Sequence, residues 1–454
     1  MTSNALPDAD YVVLGSRIAL GLDGGFAVAV PTRVRLLAAA GARDPLMLSV
    51  DGQSAEVHAA QRQEFVEAGL LATASSFRNL FDDLAADPTW LFDAGVPGSP
   101  AAGVEYREVT DAAGRPIVSL PVFHDDPEWH LRDAAVVAHA PDGDRVVAGF
   151  PGLYIAWLEH IAAERRAAAG DPDRLFVVVC ESRQIGEALV GWSDPRVRLV
   201  HTVHNSHLPA PHDDPSAPVE GLWRRWLATL GAYDAVLWPT AAQRDDVVSR
   251  FGHGDRSHVV PNPIELGDEP AGVRDGRTVV MLNRLAPQKR VDLAVRAWAQ
   301  VVSAVPDARL DVYGDGPLRD ELQALINELG LGGSVTLHGV TSERDAIFDR
   351  AALFLTATAF EGQGLSIAEA MARGLPVVST DARYGPRETI GDAGVLVAPG
   401  DVDALADAVI GLLLDDDRRL ALASRARTAA AGFTADAVQP ALVAALQAAV
   451  TSRG

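Results

Sequence analysis

Cysteine is nearly absent from this sequence, and so are long hydrophobic runs. The 454 residues include a single cysteine, Cys180, which excludes an internal disulfide framework and fits a reducing compartment. No apolar run approaches the ~18 residues that a membrane-spanning helix needs. The start of the chain lacks the basic and apolar regions of a signal peptide. We therefore expect a soluble cytoplasmic protein.

Basic residues are also scarce. There are 39 Lys and Arg against 61 Asp and Glu, which gives a net charge of −22. This charge opposes non-specific binding to nucleic acid and to anionic lipid, so nucleic acid is not an expected partner. A polyanionic partner would need a local basic groove. The length favours two or three domains, and 48% hydrophobic residues suffice for large cores.

The most informative segment runs from Glu361 to Glu369 and reads Glu-Gly-Gln-Gly-Leu-Ser-Ile-Ala-Glu. Apolar residues at helical spacing follow its glycines, and Gly374 marks the end of the predicted helix. The pattern therefore indicates a loop, a helix and then a buried strand from Val377. Free N–H groups at such a helix start, near Gly364, form an anion site at the positive end of the helix dipole.

The two carboxylates that bracket this segment are too far apart to share one metal ion or one proton. They are eight residues apart (369 − 361), which on a helix corresponds to ~12 Å. They can instead hold opposite ends of an extended ligand, with Glu361 beside a sugar and Glu369 accepting the hydroxyls of a ribose. The alternative for Glu369 is a solvated charge on the helix surface.

A pair of basic residues follows an earlier predicted strand. Arg284 and Lys289 lie in the loop after residues 277–282. Breaking a sugar–phosphate bond develops negative charge on the leaving diphosphate, and preorganised cations stabilise that charge best in a water-poor cleft. Arg offers a planar fork and Lys a point charge. The alternative is an ordinary cationic loop between a strand and a helix.

Together these motifs resemble those of retaining glycosyltransferases of family 4, which have the GT-B architecture and two glutamates with seven residues between them. The resemblance covers residues 277–400. It implies a UDP-sugar donor, no cofactor and no metal ion, because Arg284, Lys289 and the helix start neutralise the diphosphate. It implies catalytic roles for four residues, Arg284, Lys289, Glu361 and His204. The residues implied to bind the substrate are His338, Gly339, Gln363, Gly364, Leu365, Ser366 and Glu369.

The N-terminal half supplies the second part of the predicted site. Gly24 and Gly25 follow the first predicted strand, where paired glycines let the backbone approach a ligand closely; a plain turn is the alternative. Asp23 is a further candidate contact, which turn chemistry would also explain. His204 follows a strand at the carboxyl edge, where open α/β sheets bind ligands, and Asn205 beside it is assigned to the same site.

Three histidines, His201, His204 and His207, are spaced three residues apart and raise a zinc hypothesis. Residues three apart on a strand face opposite sides of the sheet, which argues against joint coordination. We predict that His201 is a core residue, and the role of His207 stays open. The Asp-x-Asp pairs at 142–144, 171–173 and 401–403 lie beside Pro or Gly and are predicted to be turns rather than metal sites.

Strands alternate with helices throughout, which predicts an α/β fold. The resemblance implies two Rossmann-like, doubly wound domains that face a cleft. We place an acceptor-side domain at 1–262 and a nucleotide-sugar-binding domain at 263–437, joined by a proline-stiffened linker. A last helix at 438–454 is predicted to cross back to the first domain. Short alternating segments at about 101–150 predict an antiparallel β insertion in the first domain.

The insertion and the segment around Tyr384 and Gly385 resemble a narrower subgroup. It comprises poly(glycerol- or ribitol-phosphate) teichoic acid glycosyltransferases and O-linked N-acetylglucosamine transferases of serine-rich proteins. Tyr384 and Gly385 are therefore predicted substrate contacts. The resemblance implies that the insertion carries acceptor binding or joins copies into a homo-oligomer, and that the protein associates peripherally near the membrane.

The expected function is retaining transfer of glucose or N-acetylglucosamine from a UDP-sugar to a polyol-phosphate polymer of the cell wall. Serine or threonine of a protein is the alternative acceptor. A different class is a non-catalytic chaperone subunit of similar fold. Such a subunit is free to lose the carboxylates and the basic pair, whereas this chain keeps Arg284, Lys289, Glu361 and Glu369.

Overall fold

The computed structural model describes residues 5–20, 24–111, 113–268 and 274–452. Its strands form two parallel sheets and one antiparallel sheet. The strands before residue 260 are β1 (Ala9–Gly15), β2 (Leu46–Ser49), β3 (Phe77–Asn79), β4 (Val96–Pro97), β5 (Glu105–Thr110), β6 (Pro116–Val122), β7 (Val136–Ala140), β8 (Gly143–Val147), β9 (Leu175–Cys180), β10 (Val197–Thr202), β11 (Ala235–Trp238) and β12 (Ser257–Val259). The later strands are β13 (Thr278–Leu282), β14 (Arg309–Tyr313), β15 (Val335–Gly339), β16 (Leu353–Thr356), β17 (Val377–Thr380) and β18 (Gly394–Val397).

Helices connect most of the parallel strands. Those of the described residues are α1 (Gly24–Ala39), α2 (Ala55–Glu67), α3 (Leu80–Ala86), α4 (Thr89–Ala94), α5 (Gly149–Ala169), α6 (Arg183–Ala188), α7 (Gly221–Leu227), α8 (Ala241–Phe251), α9 (Val291–Ala304), α10 (Arg319–Glu328), α11 (Arg344–Arg350), α12 (Leu365–Ala372), α13 (Gly385–Ile390), α14 (Val402–Leu414), α15 (Asp416–Ala430) and α16 (Ala435–Thr451). Parallel neighbours require such crossover connections.

The first parallel sheet has the strand order β12-β11-β10-β9-β1-β2-β3. Helices cover both of its faces, so its central strands are nearly continuous apolar runs. Val178 of β9 belongs to the core on one face together with Trp157 of α5. Its neighbour Val177 belongs to the opposite core together with Leu442 of α16. The strand order reverses between β1 and β9, which is where a doubly wound sheet opens a ligand crevice.

The second parallel sheet has the order β15-β14-β13-β16-β17-β18. Its faces are also covered on both sides, by cores that contain Trp298 of α9 and Met371 of α12. The order reverses between β13 and β16. The loops after these two strands carry the predicted basic pair and Glu361, so the second sheet places both motifs at its own switch point.

The antiparallel sheet has the order β4-β8-β7-β6-β5 and is the expected insertion. Val118, Leu120 and Val136 join the core of the first parallel sheet, so the insertion is packed against it. The sheet also includes β4, which lies before the expected start at residue 101. The strand expected to reach residue 150 is β8, and it ends at Val147 because α5 begins at Gly149. That glycine has φ +55°, and a Cβ there would lie 2.1 Å from the carbonyl oxygen of Arg132.

The predicted α/β class, with two doubly wound sheets and an antiparallel insertion, is confirmed by this topology. The helix α16 packs on β10 and β11 of the first sheet. Just after the linker, the Ile264 N–H donates to the carbonyl oxygen of Phe433 at 2.8 Å. The exact domain boundary at 262/263 stays a prediction.

Candidate active site

The carboxyl ends of the two parallel sheets meet at His204 and Gly362. His204 follows β10, and Gly362 lies in the loop between β16 and α12. A Cβ atom on Gly362 would lie only 2.2 Å from the main-chain oxygen of His204. Only glycine permits this approach, and it brings the loop that carries Glu361 against the loop that carries His204.

Lys289 and Glu361 form an ion pair between two loops of the second sheet. Their side chains are 19% and 14% exposed, so the pair is largely shielded from bulk water. The Thr358 hydroxyl donates to the same carboxylate oxygen at 3.3 Å, and the Gln288 side chain donates to the carbonyl oxygen of Phe360 at 2.9 Å. These bonds fix the cation and the carboxylate beside each other.

The turn after β14 packs against the loop that carries Arg284. Gly314 has φ +126°, and a Cβ there would lie 1.9 Å from the carbonyl oxygen of Asn283. The Leu285 N–H donates to the carbonyl oxygen of Asp315 at 2.9 Å. The Gly-Asp-Gly-Pro sequence after β14 therefore serves to pack two main chains together, which fixes the start of the Arg284 loop.

The helix α12 begins at Leu365, and the residue before it, Gly364, has φ +88°. No side chain among the described residues caps it, so the first N–H groups, at Leu365 and Ser366, lack a capping acceptor. Helix termini of this kind attract anions through their N–H groups and the helix dipole. The arrangement that the sequence predicted for a phosphate is thus present in the backbone.

Glu369 lies on α12 and pairs with Arg344 of α11, whose Nη1 is 3.1 Å from Oε1. The Glu369 side chain is 25% exposed. Burial raises the pKa of this carboxyl above its ordinary value, and Arg344 opposes the rise. The residue is therefore more than a solvated charge on the helix surface, because a cation from another helix is directed at it.

His204 belongs to a buried charged group on the first sheet. Its Nε2 lies 2.6 Å from Oε2 of Glu181, whose side chain is fully buried directly after β9. The other oxygen of Glu181 accepts from Nε of Arg33 at 3.2 Å. Burial by itself would raise the pKa of the Glu181 carboxyl, but Arg33 and His204 outweigh it and hold that pKa below its ordinary value.

The linker connects this group to the second sheet. Nη2 of Arg33 donates to the side-chain oxygen of Asn262 at 3.3 Å. The Asn262 N–H donates to Oε1 of Gln363 at 2.7 Å, and Nε2 of Gln363 donates back to the Asn262 carbonyl at 2.9 Å. The side chain of Gln363 thus contacts the linker, and its carbonyl oxygen accepts from the Thr389 hydroxyl at 2.9 Å. The substrate contact expected of Gln363 stays a prediction.

Two further contacts hold the two sheets together. The ring of Tyr384 stacks on His207, with centroids 5.8 Å apart and planes 8° from parallel. The carboxylate of Glu388 accepts from the N–H groups of Ala241 and Ala242, at 2.8 and 2.6 Å, at the start of α8. Tyr384 therefore contributes its ring to the contact between the sheets.

Two family models match the chain on either side of the linker. Residues 118–268 match the model described as Glycosyltransferase Family 4, and residues 268–429 match Glycosyl transferases group 1. The chain carries glycosyltransferase domains of family 4 and group 1.

Curated relatives of these glycosyltransferase domains are longer proteins. An exopolysaccharide phosphotransferase of Streptomyces coelicolor is 31% identical over 65% of this chain and 31% of its own length. A poly(glycerol-phosphate) alpha-glucosyltransferase of Bacillus subtilis is 27% identical over 62% of this chain and 41% of its own length. The chain thus spans less than half the length of both relatives.

A solved structure covers almost the whole chain. A mutant of TarM from S. aureus, in complex with Fondaparinux, alpha-GlcNAc-glycerol and UDP, superposes with a TM-score of 0.80 at 16% identity, over 96% of this chain and 99% of that one. This likeness shows the fold, and it confirms the expected GT-B architecture. Among residues 5–20, 24–111, 113–268 and 274–452, no helix combines the length and apolar character needed to cross a membrane.

The remaining predicted residues of the candidate site occupy different surroundings. Gly24 and Gly25 begin α1, the helix that carries Arg33. Asn205 is exposed beside His204, and its carbonyl accepts from Nε2 of Gln243 at 2.8 Å. Asp23 lies outside the described residues. Gly385 lies against the main chain of Gln363, where a Cβ would approach its carbonyl oxygen to 2.1 Å.

His338 and Gly339 end β15 on the second sheet. The imidazole of His338 stacks on Tyr313 with centroids 4.5 Å apart, and its Nε2 lies 2.8 Å from Oδ1 of Asp311. The Gly339 carbonyl accepts from the Gly314 N–H at 2.7 Å, which ties this strand end to the turn below the Arg284 loop. The substrate contact expected of His338 and Gly339 stays a prediction.

The other two histidines of the zinc hypothesis are surrounded by aromatic rings. His201 lies between Trp226 and Tyr233, with centroid distances of 4.8 and 5.3 Å, and burial lowers its pKa to about 3. Burial lowers the pKa of His207 to about 4. In the part of the chain that the structure describes, no cluster of three or more His, Cys, Asp or Glu could hold a metal ion. His201 is a core residue, as predicted.

Glu181, Arg33 and Arg344 were not predicted from the sequence. Glu181 had a usable signal, because it directly follows a buried strand at the carboxyl edge of a parallel sheet. Arg33 and Arg344 lie within helices, and the local sequence does not distinguish them from solvated arginines. Only the fold shows that one contacts Glu181 and the other Glu369.

Proposed function

We propose that this chain is a retaining glycosyltransferase that moves glucose or N-acetylglucosamine from a UDP-sugar to a polyol-phosphate polymer. The observation that carries the proposal is the convergence of Lys289, Glu361 and the α12 N-terminus with His204 where the two sheets meet. The family 4 and group 1 domains support it, as does the relative named for glucosyl transfer to poly(glycerol-phosphate).

Different residues of the site bind different parts of the UDP-sugar. Arg284, Lys289 and the α12 N-terminus hold the diphosphate through charge and N–H donors. Glu369 accepts the ribose hydroxyls, with Arg344 keeping its carboxylate in place. The sugar lies between Glu361 and His204, where the loops of the two sheets are in contact.

The reaction exchanges one bond at the anomeric carbon for another. The bond from C1 to the diphosphate oxygen breaks, and a bond from C1 to the acceptor hydroxyl oxygen forms on the same face. The hydroxyl proton passes to the departing phosphate oxygen. Lys289 is already oriented by Glu361, so its charge is available without reorganisation as the leaving group becomes negative. The protein's cations supply the charge that a divalent ion supplies elsewhere.

The test offers the protein UDP-glucose and UDP-N-acetylglucosamine with poly(glycerol phosphate), poly(ribitol phosphate) or a serine-rich peptide. Mass spectrometry should show addition of one sugar to a polyol-phosphate chain, NMR should show retained anomeric configuration, and a chelator should leave the rate nearly unchanged. Transfer to the peptide alone would favour the protein acceptor. A product heavier by a sugar phosphate would indicate phosphotransfer, and UDP binding without any transfer would indicate a non-catalytic subunit.

A further inference from the structure

A cavity of about 530 Å³ lies between the insertion and the carboxyl edge of the first parallel sheet. The loops after β1 and β2 form one side, with Arg17 and Asp51. Strands β5 and β6 form another, with Arg107 and Leu120. None of the residues that line this cavity belongs to the donor site described above.

The cavity shares an edge of the sheet with the proposed reaction centre. His204 follows β10, and the order β10-β9-β1-β2 places the cavity two to three strands away. At ~4.8 Å per strand the separation is on the order of 10–15 Å. A ligand that occupies the cavity and also reaches His204 must therefore be an extended chain.

Aromatic side chains form much of the cavity wall. Trp129 packs edge to face on Phe150, with ring centroids 4.6 Å apart, and Phe81 and Phe123 add further apolar surface. His130 also lines the cavity, and burial lowers its pKa to about 4, so its ring carries no charge at neutral pH. This surface suits the carbon skeleton of a polyol or a sugar.

Two arginines give the cavity a positive charge in an otherwise acidic chain. Arg107 reaches from the insertion to the sheet edge, where its Nη2 lies 3.3 Å from the position a Cβ would take on Gly52. The described residues provide no ion-pair partner for Arg107. Arg17 is 57% exposed and lies 3.6 Å from Asp51. Two guanidinium groups against one carboxylate leave one positive charge, and guanidinium binds phosphate through paired N–H groups.

We propose that this cavity binds a phosphate-bearing unit of the polyol-phosphate acceptor, while a neighbouring unit of the same chain is glycosylated beside His204. Arg17 and Arg107 bind the phosphate, and the wall around Trp129 holds the polyol carbons. The inference rests on the proposed function and adds an acceptor site to it. It also explains how a chain of net charge −22 binds a polyanion, because the charge needed is local.

The experiment measures binding of a synthetic ten-unit oligo(glycerol phosphate) to the full chain by calorimetry, with UDP titrated separately. The variants are Arg107→Ala, Arg17→Ala and the double variant. Arg115→Ala is the control, because Arg115 belongs to the same insertion, is 80% exposed and lies outside the cavity. We expect each cavity variant to weaken oligomer binding about tenfold, as for loss of one charge-assisted hydrogen bond. UDP affinity and the control should stay unchanged.

A second measurement compares the transfer rate for a long acceptor with that for a short one. Transfer to the ten-unit oligomer should show a raised acceptor KM in the double variant with an unchanged kcat, whereas transfer to a single glycerol phosphate should change little. Oligomer binding that is equal in the wild type, the double variant and Arg115→Ala overturns the acceptor site. If the cavity variants also weaken binding of an uncharged serine-rich peptide, and by the same factor, the choice of a phosphate-bearing ligand is wrong. Failure of the wild type to bind UDP contradicts the proposed function instead.

Discussion

Nε2 of His204 lies 2.6 Å from a carboxylate oxygen of Glu181, and that carboxylate is buried against Arg33. Such a contact selects which imidazole nitrogen faces the carboxylate and fixes the orientation of the ring. Glu181 is therefore a positioning residue for the histidine that we place beside the donor sugar. Its link to Asn262 through Arg33 ties this position to the linker between the two sheets.

The first prediction follows from this contact. Glu181→Gln should slow transfer at saturating substrate by at least ~10-fold, because His204 loses a charged partner that orients it. The affinity for UDP, measured by calorimetry, should change little. Glu181→Asp keeps the charge and should recover part of the rate. Because Arg33 is left without its counter-charge in the Gln variant, circular dichroism must show that it is folded.

A merely structural role of Glu181 would give a different pattern. Rate and UDP affinity would then fall together, in proportion to the unfolded fraction. An Asp variant no better than the Gln variant would also contradict the positioning role.

The second prediction concerns the basic pair. Lys289→Ala should reduce kcat by ~100-fold or more, as for loss of one preorganised charge-stabilising group. The negative charge that develops on the leaving diphosphate would then lack this cation. Arg296→Ala, on the following helix α9, is the matched control. Steady-state kinetics at saturating donor provide the test, and wild-type turnover would remove Lys289 from the diphosphate site.

The third prediction separates the two carboxylates. Glu369→Ala should weaken UDP binding, because the ribose loses its acceptor and Arg344 loses its partner. Glu361→Ala should lower the rate of transfer, because Glu361 acts on the sugar. It should not weaken UDP binding, because Lys289 then has no carboxylate that competes with the diphosphate for its charge. Glu328→Ala, an exposed carboxylate on α10, is the control. Equal losses of UDP affinity in both variants would reject this division, as measured by calorimetry.

The fourth prediction uses the buried His207. Its pKa is lowered from 6.5 to about 4 by burial. The unfolded chain takes up a proton below pH 6.5, whereas the folded chain does so only near pH 4. Stability from this group is therefore complete above pH 6.5 and falls as the pH drops toward 4, by up to about 3 kcal/mol.

Replacing His207 with Phe keeps a ring on Tyr384 and removes the titrating group. In urea unfolding, His207→Phe should lose less stability than the wild type between pH 7.5 and pH 4.5. His124→Gln, at an exposed site, should behave as the wild type. An unchanged pH dependence in His207→Phe would show that His207 titrates normally.

The fifth prediction concerns the homo-oligomer expected through the insertion. Strand β5 is an edge of its sheet and its residues are largely exposed. If copies pair there, lysines should dissociate them, since Lys on an edge strand opposes strand pairing. Light scattering should show a lower mass for the double variant Glu105→Lys and Glu108→Lys than for the wild type. Deleting the insertion is a poor test, because Leu120 and Val136 belong to the core of the first sheet.

The features that were predictable from the sequence are those set by neighbouring residues. The turn at Gly364, the helix after it and the glycines after β14 follow from local backbone preferences, so their patterns are visible along the chain. The alternation of buried strands with helices predicts the two parallel sheets for the same reason. The limits of the insertion were less predictable, since Gly149 is fixed by a contact with Arg132 from a different segment.

The sequence alone determined the α/β class, the helix start at Gly364, and the placement of Lys289 and Glu361 in loops after buried strands. Only the tertiary structure decided which distant residues complete the site. Arg33 and Glu181 are 148 residues apart, Asn262 and Gln363 are 101 apart, and Arg344 and Glu369 are 25 apart. A buried charged or polar group is costly without a hydrogen-bond or ion-pair partner. Which residue becomes that partner depends on which strands and helices are neighbours in the folded chain.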